Sequence, residues 1–498
     1  MRVFLLYPDQ DFQSDGELYP NEPTITPDLD LSTLWQAMAR GDDFLREMSQ
    51  RIILTRVTEI ATIGYRQDVL QDSLDNESLV REIYSMAVSA IEREKKSYFG
   101  FFSRYPSAIL GRSLEVMTIF VEILERLRAL AETYKPQFKS SGFSRFFAMV
   151  IEELGTDYLI EIRRHLRELK FQKGLFMSVR LGPGNKGSHY ILNPRPTTQR
   201  RRWIQRIAIK EPDYLTYVVA DRDEAGARAL TELWDRGIDV VANALAQSVD
   251  HILGFFIQLR MELGFYVAGM NLYETLRRLE APVCFPTPLE FGAPYLGFEE
   301  LYDPCLLLRR GESVSGNTLT CHDKTLTIIT GANQGGKSTF LRSIGLAQLM
   351  MQAGLFVGAK SWRTPVASGV FTHYKREEDG SMQSGKLDEE LQRMSEVVDQ
   401  IRPHAMILFN ESFTATNERE GSEISRQILR ALGEKHITVF FVTHLYELAR
   451  TLYDEHSDHV LFLRAQRAPD GSRTFRLIEA PPLNTSYGED VYREIFEV

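Results

Sequence analysis

The sequence predicts an α plus α/β chain: a helical domain followed by a C-terminal P-loop domain. Three observations carry that reading. Apolar residues recur at helical spacing from about residue 28 to 175 and again from about 224 to 279. Pro282, Pro286 and Pro288 then break the pattern. Beyond them, short β-rich runs alternate with amphipathic segments around Gly331-Ala-Asn-Gln-Gly-Gly-Lys-Ser338.

Taken in order, Met1-Arg-Val-Phe-Leu-Leu-Tyr-Pro8 carries one basic residue and too short an apolar run for a signal peptide, so residues 1–27 read as a first strand or an ordered arm. Leu31, Leu34, Trp35 and Met38 open the helical region, and Val116, Ile119, Phe120, Ile123 and Leu127 continue it. Signals near Pro106, Pro136 and Gly142 divide its helices. Over about 176–220 the runs Met177-Ser-Val-Arg-Leu181 and Tyr217-Val-Val-Ala220 sit among Gly and Pro, which predicts strands or an irregular excursion. Leu230, Leu233, Ile238, Val241, Leu245, Val249, Ile252, Phe256 and Leu259 then mark a long helix or helix pair. The helical part is placed at 28–290 and the P-loop domain at 295–498. No internal repeat or low-complexity tract is found.

Composition narrows the class. With 498 residues, 43% hydrophobic and 25% charged, the chain suits a globular protein of several domains. No stretch approaches the roughly 18 uncharged apolar residues expected of a membrane span. Cys284, Cys305 and Cys321 fit neither a metal site nor a disulfide framework, so a reduced cytoplasmic protein is expected. A net charge of −10 argues against a chain-wide nucleic-acid surface. One basic segment stands out: Arg195, Arg200, Arg201, Arg202, Arg206 and Lys210, with Trp203 among them and no acid. Phosphate contact with aromatic stacking is one reading, and a solvated basic face the other.

The chemistry is carried by three strand ends. Leu326-Thr-Ile-Ile-Thr330 reads as a strand running into a G-x-x-x-x-G-K-[ST] loop, after which Phe340, Leu341, Ile344 and Leu349 make an amphipathic helix. The candidate phosphate-binding residues are Gly331, Ala332, Asn333, Gln334, Gly335, Gly336, Lys337, Ser338 and Thr339. Glycines let backbone amides turn toward phosphate oxygens, and the helix N-terminus adds partial positive charge. Lys337 would reach the β- and γ-phosphates, and Ser338 would give Mg²⁺ a hydroxyl ligand. Ala405-Met-Ile-Leu-Phe409 ends at Asn410-Glu411, where an Asp normally holds a metal-bound water and the following Glu polarises the attacking water. Asn410 keeps an acceptor oxygen but no charge, so hydrolysis at Glu411 is expected to be slow. Thr438-Val-Phe-Phe-Val442 ends at Thr443-His444, where a His can sense the γ-phosphate and the attacking water.

These residues resemble the MutS-type ATPases. Thr330-Gly-Ala-Asn-Gln-Gly-Gly-Lys-Ser-Thr-Phe-Leu-Arg342 is similar to that family's phosphate loop, with Asn two places after the first Gly. Asn410 to Gly421 matches the length of its D-E-L-G-R-G-T-S-T-x-D-G, sharing Glu411, Thr416 and Gly421, with Glu420 for Asp. Thr443-His-Leu-Tyr-Glu-Leu448 resembles T-H-x-x-E-L, Ser486-Tyr-Gly488 resembles a terminal S-Y-G, and Tyr65-Arg-Gln-Asp-Val69 resembles R-Q-D-A/V. The likeness is specific over about 295–490 and looser over about 28–290.

The resemblance implies a helical core and lever followed by a C-terminal ABC-type P-loop ATPase domain, ATP and Mg²⁺, a homodimer in which each chain completes the other's site, and DNA as partner. It also implies a trans-acting signature segment around Ser381 and Ser384, although the match to G-x-S-T-F there is poor. A Phe-x-Glu mismatch-reading domain and a connector do not fit ahead of residue 28, and the clamp is at most a short excursion, so a shortened relative without mismatch recognition is expected. The candidate DNA contacts are Arg200, Arg201, Arg202 and Lys210. Two other functions compete. One is a nucleotide-gated binding module with little hydrolysis, suggested by Asn410. The other is a P-loop kinase, which the Thr443-His444 strand end disfavours.

Overall fold

The computed structural model describes residues 1–13, 19, 21–98, 105–172, 174–193, 218–220, 222–376, 385–468 and 472–483. Helices α1 (Glu22–Asp28), α2 (Leu31–Ala39), α3 (Asp43–Ile53), α4 (Ile60–Asp75), α5 (Glu77–Tyr98), α6 (Pro106–Tyr134), α7 (Ser141–Glu153) and α8 (Thr156–Glu168) fill the first third. Pro106 sits at the start of α6, where a missing N–H costs no hydrogen bond. Pro136 falls in a short 3₁₀ turn, Lys135–Gln137. Helix α1 begins inside the stretch expected as an arm, so helical structure starts earlier than residue 28. A proline at its first turn, Pro23, explains why helical spacing alone does not reveal it.

Residues 1–12 form an ordered arm rather than a strand. Among the described residues no strand pairs with it, and side chains supply partners. The buried Glu262 carboxylate accepts from the amides of Leu5 (2.6 Å), Leu6 (3.0 Å) and Phe12 (3.0 Å). Tyr266 and Tyr65 donate their hydroxyls to the carbonyls of Leu5 and Phe4. Arg66, fully buried on α4, donates Nε to the Leu6 carbonyl at 2.9 Å and places its guanidinium over the Tyr7 ring.

Two compact units emerge, and they do not divide at the proline linker. The first comprises Met1–Val3, Glu82–Pro136 and Phe146–Arg260. Its core is helical, with Phe120 against Phe256 at 5.3 Å between ring centroids. It also holds an antiparallel hairpin of β1 (Met177–Leu181) and β2 (Gly187–Leu192), which is the described part of the expected excursion. Residues 218–220 have no regular structure.

The second unit comprises Phe4–Arg81, Gln137–Arg145 and Met261–Val498. Helix α9 (Glu224–Arg278) is continuous and contributes to both units. By length and composition alone it is long and apolar enough to cross a membrane, contrary to the expectation drawn from uncharged runs; 22% of its most apolar stretch is buried. The difference arises because a few charged positions interrupt the apolar run without lowering its average enough to disqualify it.

A six-stranded sheet runs in the order β12-β11-β6-β10-β9-β8. Here β6 is Leu326–Thr330, β8 Val370–Tyr374, β9 Met406–Asn410, β10 Thr438–Val442, β11 Val460–Arg467 and β12 Arg473–Glu479. All neighbours are parallel except β12, which returns antiparallel on β11. Its central strands are buried nearly throughout, which is why they read as unbroken apolar runs. Helices α11 (Lys337–Ala353), α12 (Lys386–Gln400), α13 (Glu418–Glu434) and α14 (Tyr446–Asp454) accompany it.

A second sheet has the order β3-β7-β4-β5, where β3 is Thr287–Leu289, β4 Tyr295–Leu301, β5 Asn317–His322 and β7 Ser361–Pro365. Helix α10 (Pro304–Arg310) lies between β4 and β5 in sequence. Strand β3 falls within the expected linker. Pro288 is tolerated because β3 lies at a sheet edge, paired only with β7.

The far end of α11 is tied down as well. Gly354 caps it with φ +84°, and a Cβ there would stand 2.3 Å from that of Arg66. Arg66 also donates to the Ala353 carbonyl at 3.3 Å.

Replacing Glu262 with Ala strands three amides, so the variant is expected to lose about 3 kcal/mol or more of stability, at about 1–3 kcal/mol per unpaired buried group. Hydrogen exchange at Leu5, Leu6 and Phe12 should accelerate together. Unchanged exchange there would refute the role given to this carboxylate.

Candidate nucleotide-binding site

Strand β6 delivers the chain to the glycine loop, and α11 begins at Lys337. The loop winds through left-handed backbone at Gly331 (φ 112°), Gln334 (φ 59°) and Gly336 (φ 90°). Space is as restrictive as conformation. A Cβ on Gly331 would lie 2.9 Å from the Ala465 amide, and one on Gly335 would lie 2.7 Å from the Ala465 Cβ. Strand β11 therefore closes over the loop from one side.

Lys337 is buried, and its Nζ donates to the carbonyls of Gly331 (2.9 Å) and Ala332 (2.8 Å). Burial lowers its pKa, and the Glu411 charge partly offsets that. The ammonium thus curls back onto its own loop at the mouth of the cleft.

Ser338, next in the helix, donates its hydroxyl to Oδ1 of Asn410 at 2.9 Å. The sequence placed these two residues together, and so does the fold. Among the described residues no group of three or more His, Cys, Asp or Glu side chains could hold a metal. A single hydroxyl backed by an amide oxygen instead suits Mg²⁺, which keeps waters and takes substrate phosphates as ligands.

Glu411 follows β9 with φ 55°. Its Oε1 accepts from His444 Nε2 at 2.9 Å, and its amide donates to the Val442 carbonyl at 2.9 Å. The His444 hydrogen bond lowers the Glu411 pKa most, with further help from Lys337 and Lys375. Glu411 is therefore a carboxylate at neutral pH, with an oriented imidazole beside it.

Ser338, Lys337, Glu411, Asn333, Gln334, Gly335, Gly336 and Thr339 share one cleft of about 590 Å³. That volume lies within the usual range for small-molecule sites. A larger groove of about 770 Å³ lies in the helical unit, lined by Leu110, Phe171 and Trp234 among others. It holds none of the strand-end chemistry.

The cleft also contains residues that the sequence reading missed. Arg473 donates to Oε1 of Gln334 at 2.8 Å, and Phe475 presents a ring left 45% exposed on a backbone with φ 57°. The Phe475 carbonyl would stand 3.2 Å from a Cβ on Gly336. Lys375 was missed too; its amide donates to the Asn410 carbonyl, one residue beyond the register pair Tyr374 and Asn410. Only the strand-end pairing betrays these positions. Ser381, Ser384, Arg195, Arg200, Arg201, Arg202, Arg206, Lys210 and Ser486 to Gly488 lie outside the described residues.

A glycine loop between the first strand and helix of a mostly parallel sheet, with polar residues ending two adjacent strands, is the arrangement of a nucleotide-binding α/β domain. Comparison with known proteins narrows the class. Residues 327–496 match MutS domain V, an ABC-type ATPase domain, and residues 58–279 match the MutS2 N-terminal domain. The chain belongs to the MutS family. It is 23% identical over 338 residues to endonuclease MutS2 of Thermus thermophilus, covering 67% of this chain and 38% of that protein. It is 30% identical over 175 residues to the DNA mismatch repair protein MutS of Leptospira interrogans, covering 32% of this chain and 21% of that protein. Against MutS of Thermus aquaticus the identity is 27% over 183 residues, covering 37% of this chain and 22% of that protein. The matched segments thus span well under half the length of these relatives.

Asn410→Asp should raise Mg²⁺ affinity by about 10- to 100-fold, the usual weight of a metal's outer partners. Titration with Mg²⁺ in the presence of nucleotide reads this directly. A fall in affinity would show that the amide holds Ser338 in a way a carboxylate cannot.

Proposed function

We propose that this chain is a MutS-like ATPase in which nucleotide state controls engagement with DNA, in repair or recombination. The observation that carries the reading is the convergence of Lys337, Ser338 and Glu411 in one cleft, with Asn410 bonded to Ser338 and His444 bonded to Glu411 behind them. In this reading, residues 28–290 serve as helical core and lever, residues 295–498 as the ATPase domain, and a cytoplasmic homodimer is the working form.

The side chains divide the chemistry. Lys337 would exchange the Gly331 and Ala332 carbonyls for the β- and γ-phosphates, a short swing for a group already at the loop. Ser338 would hold Mg²⁺, with Asn410 behind it orienting the hydroxyl or a metal-bound water. When bound there, the metal neutralises phosphate charge. Glu411, ionised and oriented, would take the proton of the attacking water, while His444 fixes the carboxylate. Phe475 and Arg473 line the same cleft beside the phosphate loop, and the Phe475 ring suits the nucleobase. DNA would be held outside this site, with the Arg200 to Lys210 segment as candidate. ABC-type dimerisation would bring Ser381 or Ser384 to the partner's γ-phosphate.

The second reading, a nucleotide-gated module with little hydrolysis, draws on Asn410, which leaves the metal site one negative charge short. The two separate cleanly. Lys337→Ala should abolish ATP binding, and Glu411→Gln should keep binding while lowering phosphate release by about 10²- to 10⁴-fold, the usual contribution of a general base. If wild-type protein binds ATP yet releases no phosphate above the Glu411→Gln level, the module reading replaces the ATPase.

DNA engagement has its own test. Binding to duplex, branched and single-stranded DNA should change with ATP and weaken as salt rises. Absence of salt-sensitive binding to all three would remove DNA as the partner.

A further inference from the structure

Glu411 does not aim itself. It stands at the head of a turn, Glu411-Ser412-Phe413, whose first and last residues both adopt left-handed backbone, φ 55° and φ 62°. A Phe in that region is strained by its Cβ, and such conformations persist only where the surroundings enforce them.

One side chain contacts both remaining members of the turn. His373, on β8, is 1% exposed, and its ring stacks on Phe413 at 5.1 Å and 17° between planes. Its Nδ1 accepts from the Ser412 hydroxyl at 2.8 Å. That hydroxyl is also within 2.5 Å of the His373 carbonyl, so its single proton is shared between two acceptors of one residue. The other ring nitrogen, Nε2, donates to the Glu390 carbonyl on α12 at 3.0 Å. Ser412, Phe413 and Glu390 are all buried, and the Glu390 carboxyl faces the backbone amides of Phe413 and Ala415. Strand β8, helix α12 and the turn thus meet at one imidazole.

The ring is neutral. Burial, with Arg393 and Arg376 nearby, holds its pKa down at about 4. With one proton it serves both contacts, donating through Nε2 and accepting at Nδ1. No part of it lines the nucleotide cleft, so it does not touch the reactants.

We propose that His373 is a positioning residue for ATP hydrolysis: it clamps the strained turn through Ser412 and Phe413, and so holds Glu411 against His444 in line with helix α12. This rests on the ATPase reading and deepens it. A displaced base at an otherwise intact cleft gives a distinctive signature, in which the chemical step slows while nucleotide affinity stays. A misplacement of about 1 Å costs roughly 100-fold in favourable cases.

The test uses the full-length chain. His373→Leu keeps bulk against Phe413 and removes both ring hydrogen bonds; Ser412→Ala removes one of them with less risk to folding. ATP affinity is measured by titration and hydrolysis by single turnover, with circular dichroism to confirm folding. Expected for both variants is an ATP affinity within about twofold of wild type and a hydrolysis rate roughly 10- to 100-fold lower. The double variant should be no worse than His373→Leu, because the two residues act through one contact.

A folded His373→Leu protein hydrolysing at the wild-type rate would overturn the proposal, as would equal losses in affinity and rate. If His373→Leu does not fold, an unaffected rate in Ser412→Ala overturns it just as well. Wild-type protein lacking Glu411-dependent hydrolysis would instead overturn the ATPase reading, and this proposal with it.

Discussion

Irregular backbone in a protein interior must find partners for its N–H and C=O groups, and in this chain buried polar side chains provide them. The phosphate loop turns its Gly331 and Ala332 carbonyls onto Lys337. The N-terminal arm, which pairs with no strand among the described residues, hands its amides to Glu262 and its carbonyls to Arg66, Tyr65 and Tyr266. The turn after β9 rests on His373. Each solution buries a group that is costly to bury alone, and each is affordable because the backbone it satisfies would be equally costly unpaired.

The same logic shapes the electrostatics of the cleft. Lys337 is a buried cation whose nearest fixed anion is Glu411, while Asn410 contributes only a dipole. Lys375 adds positive charge near Glu411. The site therefore carries more positive than negative charge before any nucleotide enters. A polyphosphate is the ligand that such an imbalance favours, and a free divalent cation is not.

How much of this was legible depends on the range over which each feature is encoded. The three strand ends are local: an apolar run followed by Gly331 to Ser338, by Asn410-Glu411 or by Thr443-His444 declares itself within a dozen residues. The long helix α9 and the buried faces of α2 and α6 follow from periodicity in the same way. Phe475 and Arg473 carry no such signature, because they reach the phosphate loop only after β12 folds back on β11. His373 looks like any polar residue in a β-run until β8 pairs with β9. Strand β3 hid behind prolines that an edge strand tolerates. The expected division at the linker did not coincide with the compact units, since residues 4–81 pack with the nucleotide-binding sheet.

The arm held by Glu262 has a consequence for the order in which the chain assembles. Leu5 finds its partner 257 residues later, and Arg66 finds the Ala353 carbonyl 287 residues later. At a synthesis rate of about 5–20 residues per second, Leu5 spends roughly 13 to 51 seconds without the group that satisfies it. Val3, Leu5 and Leu6, all destined for burial, are exposed during that interval. The arm is thus locked only by a segment made much later, and its closure requires that the Glu262 end of helix α9 has been made.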